Sequence, residues 1–394
     1  MKMNHRRKFI KKASMLSMAS VFTTRFLFPE SRELRIGYLP ITDATPLLIA
    51  HANGYFKDEG LNVDFPIRVR AWSTLAESFM THKFNLTHML LPMPIWMRFS
   101  SNVPIKILAW NHTNGSAITI RKDSGIRDFS DLGGKQIAVP YWYSIHNVIL
   151  QMGIRKAGLL PVIKNQSGKL KKNEVNLFIL SPSEMPASLM GRKIDGYIVA
   201  EPFNALGEMR VGARIMRFTG DIWKNHPCCV IVMNQRLISE KPVFVQKVIN
   251  AVVRAQAWIN TNPRKTAAIL SREGKNYLPI PRRVLEKVFT DYSQDYYGDQ
   301  NLPKAIRNPQ WEIGRIGFQP FPYPSATEFI IQKLQRTLVE GQSAFLKKLD
   351  PRQAELELVD KRFVKKAISG LDKKNIFPHQ ELGGEWKRLE VIDL

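Results

Sequence analysis

Short apolar runs alternate with helix-length segments through the first two thirds of this 394-residue chain. The helix-length segments carry a capping residue or a glycine stop, as at 45–53 before Gly54 and 144–157 before Gly158. The runs that predict strands are 34–39, 62–67, 86–91, 105–110, 117–121, 136–139, 176–180, 194–199 and 229–233. Strands separated by helices favour parallel-rich sheets flanked by helices, so the sequence predicts an α/β fold.

Helical patterns dominate the last third of the chain. Segments 242–259, 263–272 and 281–292 each open on a proline, which is favoured at the first turn of a helix. Another helix is predicted at 326–340, after a proline-rich loop. The charged end carries a helical pattern at 360–371, and we expect this tail to be the least ordered part of the chain.

The strongly basic composition restricts the possible partners. The formal net charge is +24, and beyond the first residues it is spread along the body of the chain. No dense basic run is interleaved with aromatic residues, so a nucleic-acid partner is not expected. A dispersed positive field suits attraction of anionic ligands or of an anionic membrane face, and plain solubility explains it equally well.

The N-terminus of the chain carries a predicted targeting signal. Residues 5–11, His-Arg-Arg-Lys-Phe-Ile-Lys, match the twin-arginine export signal. The weakly apolar stretch that follows, 13–24, is shorter than the roughly 20 residues that a spanning helix needs. We therefore expect residues 1–33 to be an export signal and the protein to be periplasmic. Membrane contact is expected only through a permease or through an uncleaved signal.

The two cysteines of the chain are adjacent, at Cys228 and Cys229. Adjacent cysteines cannot cross-link distant parts of a fold. In an oxidising compartment three interpretations remain open: a strained vicinal disulfide, two buried thiols, or soft ligands for a substrate or a metal.

Several polar and aromatic residues follow predicted strands in the first part of the chain. Ligands of open α/β sheets bind at such strand ends. Thr42 and Asp43 precede the helix that starts near Thr45, where both residue types cap a helix and where its N-terminus attracts anions. Trp72 comes after the strand at 62–67 and offers an N–H donor and a flat wall, although core packing explains it equally well.

Three further strand ends carry candidate residues. Met93 lies in a Leu-Pro-Met-Pro sequence that is predicted to turn the chain after the strand at 86–91. His146 stands beside three aromatic residues where a strand gives way to a helix, and it is as readily structural as ligand-binding. Ala200 and Glu201 end an apolar strand and open a Glu-Pro turn before another helical pattern. A glutamate at this point indicates chemistry or a hydrogen-bond network rather than packing.

Motifs of catalysis are absent from the sequence. It contains no Gly-x-Ser-x-Gly elbow, no Walker loop, no dinucleotide-binding glycine pattern and no His-Glu-x-x-His zinc helix. We therefore predict no catalytic residue, no cofactor and no metal site, and we expect a protein that holds a ligand without transforming it.

These motifs together resemble the periplasmic solute-binding proteins of ABC importers for nitrate, bicarbonate and sulfonates, above all the nitrate- and bicarbonate-binding branch. The resemblance runs from about residue 34 to about residue 330. The stretches that carry it are 37–47, 54–60, 91–94, 114–115, the segment around His146, 201–204 and 221–227.

The resemblance implies a type II periplasmic binding protein fold, in which two α/β lobes close over a solute. It places lobe one at 34–111 and 235–335 and lobe two at 112–234. Residues 336–394 then form a helical, charged tail.

The resemblance also implies solute contacts at Trp72, at His146 and at the backbone of Ala200. Two positions depart from the nitrate-type pattern: Ser116 stands where a glutamine is expected, and Cys229 where a lysine is expected. Loss of a charge-assisted hydrogen bond from that lysine costs roughly 1.5–3 kcal/mol, which counts against nitrate. The candidate ligand-binding set is Thr42, Asp43, Trp72, Met93, Ser116, His146, Ala200, Glu201 and Cys229.

The resemblance thus predicts the solute-binding component of an ABC importer, which delivers a small polar or anionic solute to permease and ATPase subunits. Glu201 would repel a free anion unless it is protonated, paired or bridged by a cation. Two alternatives stay open. One is a binding protein for the pyrimidine precursor of thiamine or a related synthase, and the other is an exported sensory or scaffold protein.

Overall fold

The computed structural model describes residues 34–297, 304–371, 377 and 386–394. The predicted export signal at 1–33 lies outside these residues. The strands are β1 Ile36–Tyr38, β2 Ile67–Arg68, β3 Leu86–Leu90, β4 Ile105–Trp110, β5 Thr113–Asn114, β6 Ser116–Arg121, β7 Gln136–Val139, β8 Leu160–Val162, β9 Glu174–Ile179, β10 Gly196–Ala200, β11 Ala213–Phe218, β12 Cys229–Asn234 and β13 Ile316–Gly317.

Helices separate most of these strands and fill the last third of the chain. They are α1 Thr45–Ala52, α2 Tyr55–Asp58, α3 Trp72–Met80, α4 Pro92–Phe99, α5 Ile145–Lys156, α6 Met185–Met190, α7 Phe203–Arg210, α8 Thr219–Ile222, α9 Gln235–Glu240, α10 Pro242–Thr261, α11 Pro263–Leu270, α12 Arg282–Thr290, α13 Gln294–Tyr297, α14 Pro324–Leu334, α15 Pro351–Leu358 and α16 Arg362–Ser369. The predicted α/β class and the helical last third are confirmed.

Two mixed sheets organise the molecule. The first has the order β2-β1-β3-β12-β4, with β1 parallel to both neighbours and β12 antiparallel to β3 and β4. The second has the order β11-β6-β10-β7-β9-β8, with β6 antiparallel between β10 and β11. The segment 112–234, predicted as lobe two, therefore returns to the first sheet at β12.

A small two-stranded ladder lies where the chain leaves the first sheet. The strand β5 pairs antiparallel with β13, and Thr113 also forms a bridge with Pro227. Residues 113–114, 227 and 316–317 therefore meet near the point where the chain passes from β4 to β6.

Two local predictions are wrong, and proline explains both. Of the predicted strand at 62–67, only Ile67 joins a strand, because Pro66 has no N–H to donate to a ladder; Val63 forms an isolated bridge with Leu34. The predicted turn around Met93 is the start of α4, which has proline in its first turn, where a helix does not need the N–H.

The charged tail is packed on the body rather than loose in its described parts. Val359 bridges Ile107 at the edge of the first sheet, and α16 packs against α10. Near the end of the chain, Ile392 bridges Trp223, and the Lys224 N–H donates to the Val391 carbonyl at 3.0 Å. The expectation that the tail is the least ordered part therefore fails for these residues.

No helix within the described ranges is both long and apolar enough to cross a membrane.

Local sequence explains how α5 is placed. The Ser144 hydroxyl caps its N-terminus by accepting a hydrogen bond from the Asn147 N–H at 3.1 Å. Gly153 lets the helix approach Phe129, because a Cβ atom there would lie 2.2 Å from the phenyl ring. The cap and the close packing fix the first turn of α5, which carries His146.

The first sheet buries a histidine that is expected to make stability depend on pH. His88 in β3 is fully buried, and its Nε2 accepts a hydrogen bond from the Leu39 N–H at 3.1 Å. Burial lowers the pKa of His88 to about 3, against about 6.5 in an unfolded chain. The unfolded state therefore binds a proton that the folded state does not, and stability is lost as pH falls from above 6.5 toward 3.

We predict that His88→Gln weakens this pH dependence. Between pH 7 and pH 5 one such histidine lowers the free energy of unfolding by about 2 kcal/mol. Urea denaturation at both pH values should show a loss for His88→Gln that is smaller than the wild-type loss by about that amount. An equal loss in both proteins would contradict the neutral, buried His88.

Candidate functional site

The ends of strands from both sheets meet at one polar junction. Thr42 follows β1 in the first sheet, and Glu201 follows β10 in the second. The backbone N–H of Thr42 donates to the Glu201 carbonyl at 3.0 Å, and its hydroxyl donates to the same oxygen at 2.9 Å. Both residues are fully buried. This contact joins the segments that carry the two sheets at the strand ends where ligands of α/β proteins bind.

A buried ion pair fixes the glutamate at the centre of this junction. The Arg315 Nε donates to Glu201 Oε1 at 2.6 Å, and its Nη2 lies 3.0 Å from Glu208 Oε2. The Ala205 N–H donates to the other Glu201 oxygen at 3.0 Å. Burial raises the pKa of Glu201, and the Arg315 guanidinium opposes that rise. The expectation that Glu201 must be protonated, paired or bridged is met by pairing.

A second buried group surrounds Asp43. The thiol of Cys229 donates to Asp43 Oδ2 at 3.1 Å, and the thiol of Cys228 lies 3.7 Å from the same oxygen. His112 Nε2 lies 3.3 Å from the other carboxyl oxygen. Burial raises the pKa of Asp43 to about 8, an effect that the two thiol hydrogen bonds oppose, and burial also raises the pKa of both thiols. At neutral pH the group is therefore largely uncharged.

Ser116 connects this group to the second sheet. Its hydroxyl lies 2.8 Å from His146 Nε2 and 3.9 Å from Cys228 Sγ. Ala200 is paired with Ser116 across β10 and β6, which places its backbone directly beside the serine. Burial lowers the pKa of His146 to about 3, so the imidazole is neutral. Both sheets thus contribute polar side chains to one buried junction.

The structure places the other two predicted residues, Trp72 and Met93, in the hydrophobic core beside the first sheet. Trp72 opens α3 and packs edge-on against His88, with ring centroids 5.5 Å apart. Met93 is fully buried in α4. Neither has a hydrogen bond to the junction, so the residues brought together are Thr42, Asp43, Ser116, His146, Ala200, Glu201 and Cys229.

Several buried polar atoms at the junction lack a hydrogen-bond partner. Among the described residues these are Asp43 Oδ1, Asn111 Oδ1, both ring nitrogens of His112 and His146 Nδ1. A buried polar atom left unpaired costs about 1–3 kcal/mol, so most folded proteins contain few. Their clustering here provides hydrogen-bonding capacity that a polar ligand would satisfy.

The junction contains no unpaired cation among the residues the structure describes. Its arginine, Arg315, is shared by Glu201 and Glu208. The other buried arginines are also paired, Arg217 with Asp221 and Arg388 with Glu390. An anion bound at the junction would depend on neutral donors.

Sequence reasoning missed three residues of the junction, which are His112, Arg315 and, as a candidate, Cys228. Arg315 precedes β13, about 114 positions after its partner Glu201, and no local motif marks it. The available signal was Glu201 itself, because a buried carboxyl group needs a cationic partner if it stays ionised. His112 follows β4 at the exit from the first sheet, so its signal in the sequence was its place just after the predicted strand at 105–110.

A surface cavity of about 490 Å³ lies elsewhere, beside the edge strand β4 and the tail. Its lining mixes both signs of charge, with Lys106 and Arg362 facing Asp360. It contains none of the predicted ligand-binding residues.

Comparison with known proteins identifies a common fold and a family. The model of the NMT1-like family matches residues 28–271. The nitrate/nitrite binding protein NrtA of Nostoc sp. is 27% identical over 256 residues, which are 60% of this chain and 56% of the relative. The bicarbonate transport ATP-binding protein CmpC of Synechococcus elongatus is 24% identical over 79% of this chain and 49% of the relative. The chain thus spans about half the length of these curated relatives.

A solved structure supports the fold independently. The periplasmic nitrate-binding protein NrtA from Synechocystis superposes with a TM-score of 0.69 at 17% identity, covering 86% of this chain and 89% of that protein. The predicted periplasmic binding protein fold is therefore confirmed.

We predict that Arg315→Met destabilises the protein by about 3–5 kcal/mol, because it leaves Glu201 buried without its cation. A matched control is Arg98→Met, which removes an ion pair with the half-exposed Glu357 and is expected to cost less than about 1 kcal/mol. Urea denaturation measures both. Adding Glu201→Gln to Arg315→Met should recover part of the loss, and equal effects of Arg315→Met and Arg98→Met would contradict the role of the pair.

Proposed function

This chain belongs to the NMT1-like family, and we propose that it is the solute-binding component of an ABC importer. The observation that carries the proposal is the buried polar junction at which Thr42 and Glu201 join the two sheet-bearing segments. A binding protein of this class needs a polar surface that both lobes complete only when they close. The unpaired polar atoms around Asp43, Ser116 and His146 suit that purpose.

The proposed partners follow from the relatives. NrtA is named for binding nitrate and nitrite, and CmpC is named as an ATP-binding protein of bicarbonate transport. By analogy this chain would deliver its solute to a permease driven by an ATPase. The twin-arginine motif at residues 5–11 supports export to the periplasm, with membrane contact through the permease or an uncleaved signal. No catalytic step is part of the proposal.

The proposed lobes are built on the two sheets. Residues 34–111 and 235–335 form the body of lobe one, and most of 112–234 forms lobe two. Since β12 pairs in the first sheet, the crossings between lobes are proposed at 111–116 and 226–229. The ladder of β5 and β13 lies at these crossings and would serve as the hinge.

The proposed solute is small and polar, and its charge is limited by the junction. Each buried arginine there and nearby already has a carboxylate partner. A nitrate-like anion would lack one charge-assisted hydrogen bond, worth roughly 1.5–3 kcal/mol. We therefore expect tighter binding of a polar solute that also donates hydrogen bonds, such as a sulfonate that carries an amine, than of bare nitrate.

A ligand screen tests the function. The purified chain is melted with nitrate, nitrite, bicarbonate with and without calcium, alkanesulfonates, taurine and thiamine-type pyrimidines. A solute at one hundred times its dissociation constant adds about 2.7 kcal/mol to the free energy of unfolding and raises the melting temperature visibly. Taurine raising the melting temperature more than nitrate is the expected order. No shift with any solute in the panel would contradict the proposal for this solute class.

We predict that Thr42→Val weakens binding of the solute found in that screen by about fivefold. The hydroxyl contact with Glu201 contributes about 1 kcal/mol, and it is made only when the lobes are closed. Isothermal titration calorimetry measures the change.

The matched control is Thr266→Val. The Thr266 hydroxyl is also buried and donates to a carbonyl, that of Asn262, at 2.9 Å within the helical part of the chain. It should lower stability by a similar amount and leave the dissociation constant unchanged. Equal weakening by both substitutions, or none by Thr42→Val, would argue against closure at Thr42.

A further inference from the structure

Asp43, Cys228 and Cys229 form a compact group of metal-binding side chains at the junction. Their ligand atoms all lie within 4.8 Å of one another, and all three residues are fully buried. Both cysteines are free thiols. From this geometry we infer that the three residues bind a Zn²⁺ ion, although the sequence predicted no metal site. Asp43 and Cys229 also belong to the candidate solute-binding set, but the metal site does not rest on solute capture.

The distances suit a tetrahedral ion. With Zn–S at about 2.3 Å and Zn–O at about 2.0 Å, the sulfur-to-oxygen edge of a tetrahedron is about 3.5 Å. The two corresponding edges here, from Asp43 Oδ2 to the sulfur atoms of Cys229 and Cys228, are 3.1 and 3.7 Å. The two sulfur atoms lie within 4.8 Å of each other, and an ion in contact with all three ligands requires about 3.8 Å between them.

The donor set selects the metal. Two thiolates favour a soft or borderline cation, and a carboxylate is a poor ligand for Cu⁺. Magnesium and calcium take oxygen ligands and do not match two sulfur atoms. Zn²⁺ accepts sulfur and oxygen together in tetrahedral geometry, and three protein ligands leave one position for water or another small ligand.

His112 provides an independent indication of a ligand at this place. Its Nε2 lies 3.3 Å from Asp43 Oδ1, whereas both thiols contact the other carboxyl oxygen, Oδ2. Neither of its ring nitrogens has a hydrogen-bond partner, nor does Asp43 Oδ1, although all are buried. A carboxylate that ligates a metal is itself usually hydrogen-bonded by a neighbouring group, and the His112 imidazole is placed to form that bond once Asp43 holds an ion. His112 is therefore a positioning residue.

The ligands come from segments attached to the first sheet. Asp43 follows β1, Cys229 opens β12, and the Cys228 carbonyl accepts a hydrogen bond from the Leu91 N–H at 2.9 Å. The ligand set therefore does not depend on the position of the second sheet. Binding of the ion requires both thiols and the Asp43 carboxyl group to lose their protons, so the ion and its three ligands together carry a single net negative charge.

The test is a metal titration of the full chain, without a polyhistidine tag, under a phosphine reductant and without solute. Cobalt(II) is added first because its thiolate complexes absorb in the near ultraviolet, and Zn²⁺ is then added as competitor. We expect one equivalent of Co²⁺, thiolate charge-transfer absorption, and displacement by Zn²⁺ but not by Mg²⁺. Absence of the thiolate absorption would overturn the inference.

Variants separate ligands from the positioning residue. Cys228→Ser, Cys229→Ser and Asp43→Asn should each weaken binding by more than about 100-fold, beyond the effect of an outer partner. His112→Gln should weaken binding by about 10–100-fold and keep the thiolate absorption. Asp195→Asn is the control, because the Asp195 carboxylate lies outside the metal-binding group and accepts a hydrogen bond from the Gln136 N–H at 2.8 Å. This variant should bind Zn²⁺ like the wild type.

X-ray absorption of the zinc-loaded wild type gives an answer even where a variant fails to fold. We expect two sulfur neighbours at about 2.3 Å together with lighter atoms. Fewer than two sulfur neighbours, or unchanged Zn²⁺ affinity in folded cysteine variants, would overturn the site. Because no solute is present in these experiments, a negative metal result would not contradict the proposed importer function. A negative solute screen would likewise not contradict the metal site.

Discussion

The buried carboxylate of Glu201 is the interaction on which the junction depends. Its side chain is neutralised by Arg315, its N–H donates to the Gly115 carbonyl at 2.8 Å, and its own carbonyl accepts both hydrogen bonds from Thr42. The Gly115 N–H in turn donates to the Arg315 carbonyl at 2.9 Å. One residue therefore connects four segments: the end of β10, the turn before β6, the segment before β13 and the segment after β1. Removing the charge on either side leaves the other buried and unpaired, a large cost in low dielectric.

Around this fixed centre, the remaining polar groups are neutral and incompletely paired. Burial keeps His146 uncharged and Asp43 largely protonated at neutral pH. Neutral groups cost less to bury than charged ones, so the junction can stay closed while retaining atoms that can still bind a ligand. The junction therefore combines a charge-balanced ion pair with a neutral polar group around Ser116. The proposed solute contacts lie in this neutral group, and the inferred zinc ligands lie next to it.

The sequence predicted the regular elements well because their hydrophobic spacing is local. It predicted most strands of both sheets, and Thr42, Asp43, Ser116 and Glu201 do meet at one junction. It failed where the deciding contact is distant: the two-residue strands β5 and β13 have no periodicity to detect, and Arg315 pairs across more than a hundred positions. Trp72 and Met93 were also expected at the site, Trp72 in part from the family resemblance. Both are buried in the core beside the first sheet, and their contact with a solute stays a prediction.

The most direct measurement is a crystal structure of the protein with the solute that stabilises it in the ligand screen. We expect the solute between the two sheets, in contact with Thr42, Ser116 and His146, with the Glu201–Arg315 pair intact. A solute seated instead in the surface cavity beside Lys106 and Asp360, with no ligand at the junction, would contradict this expectation.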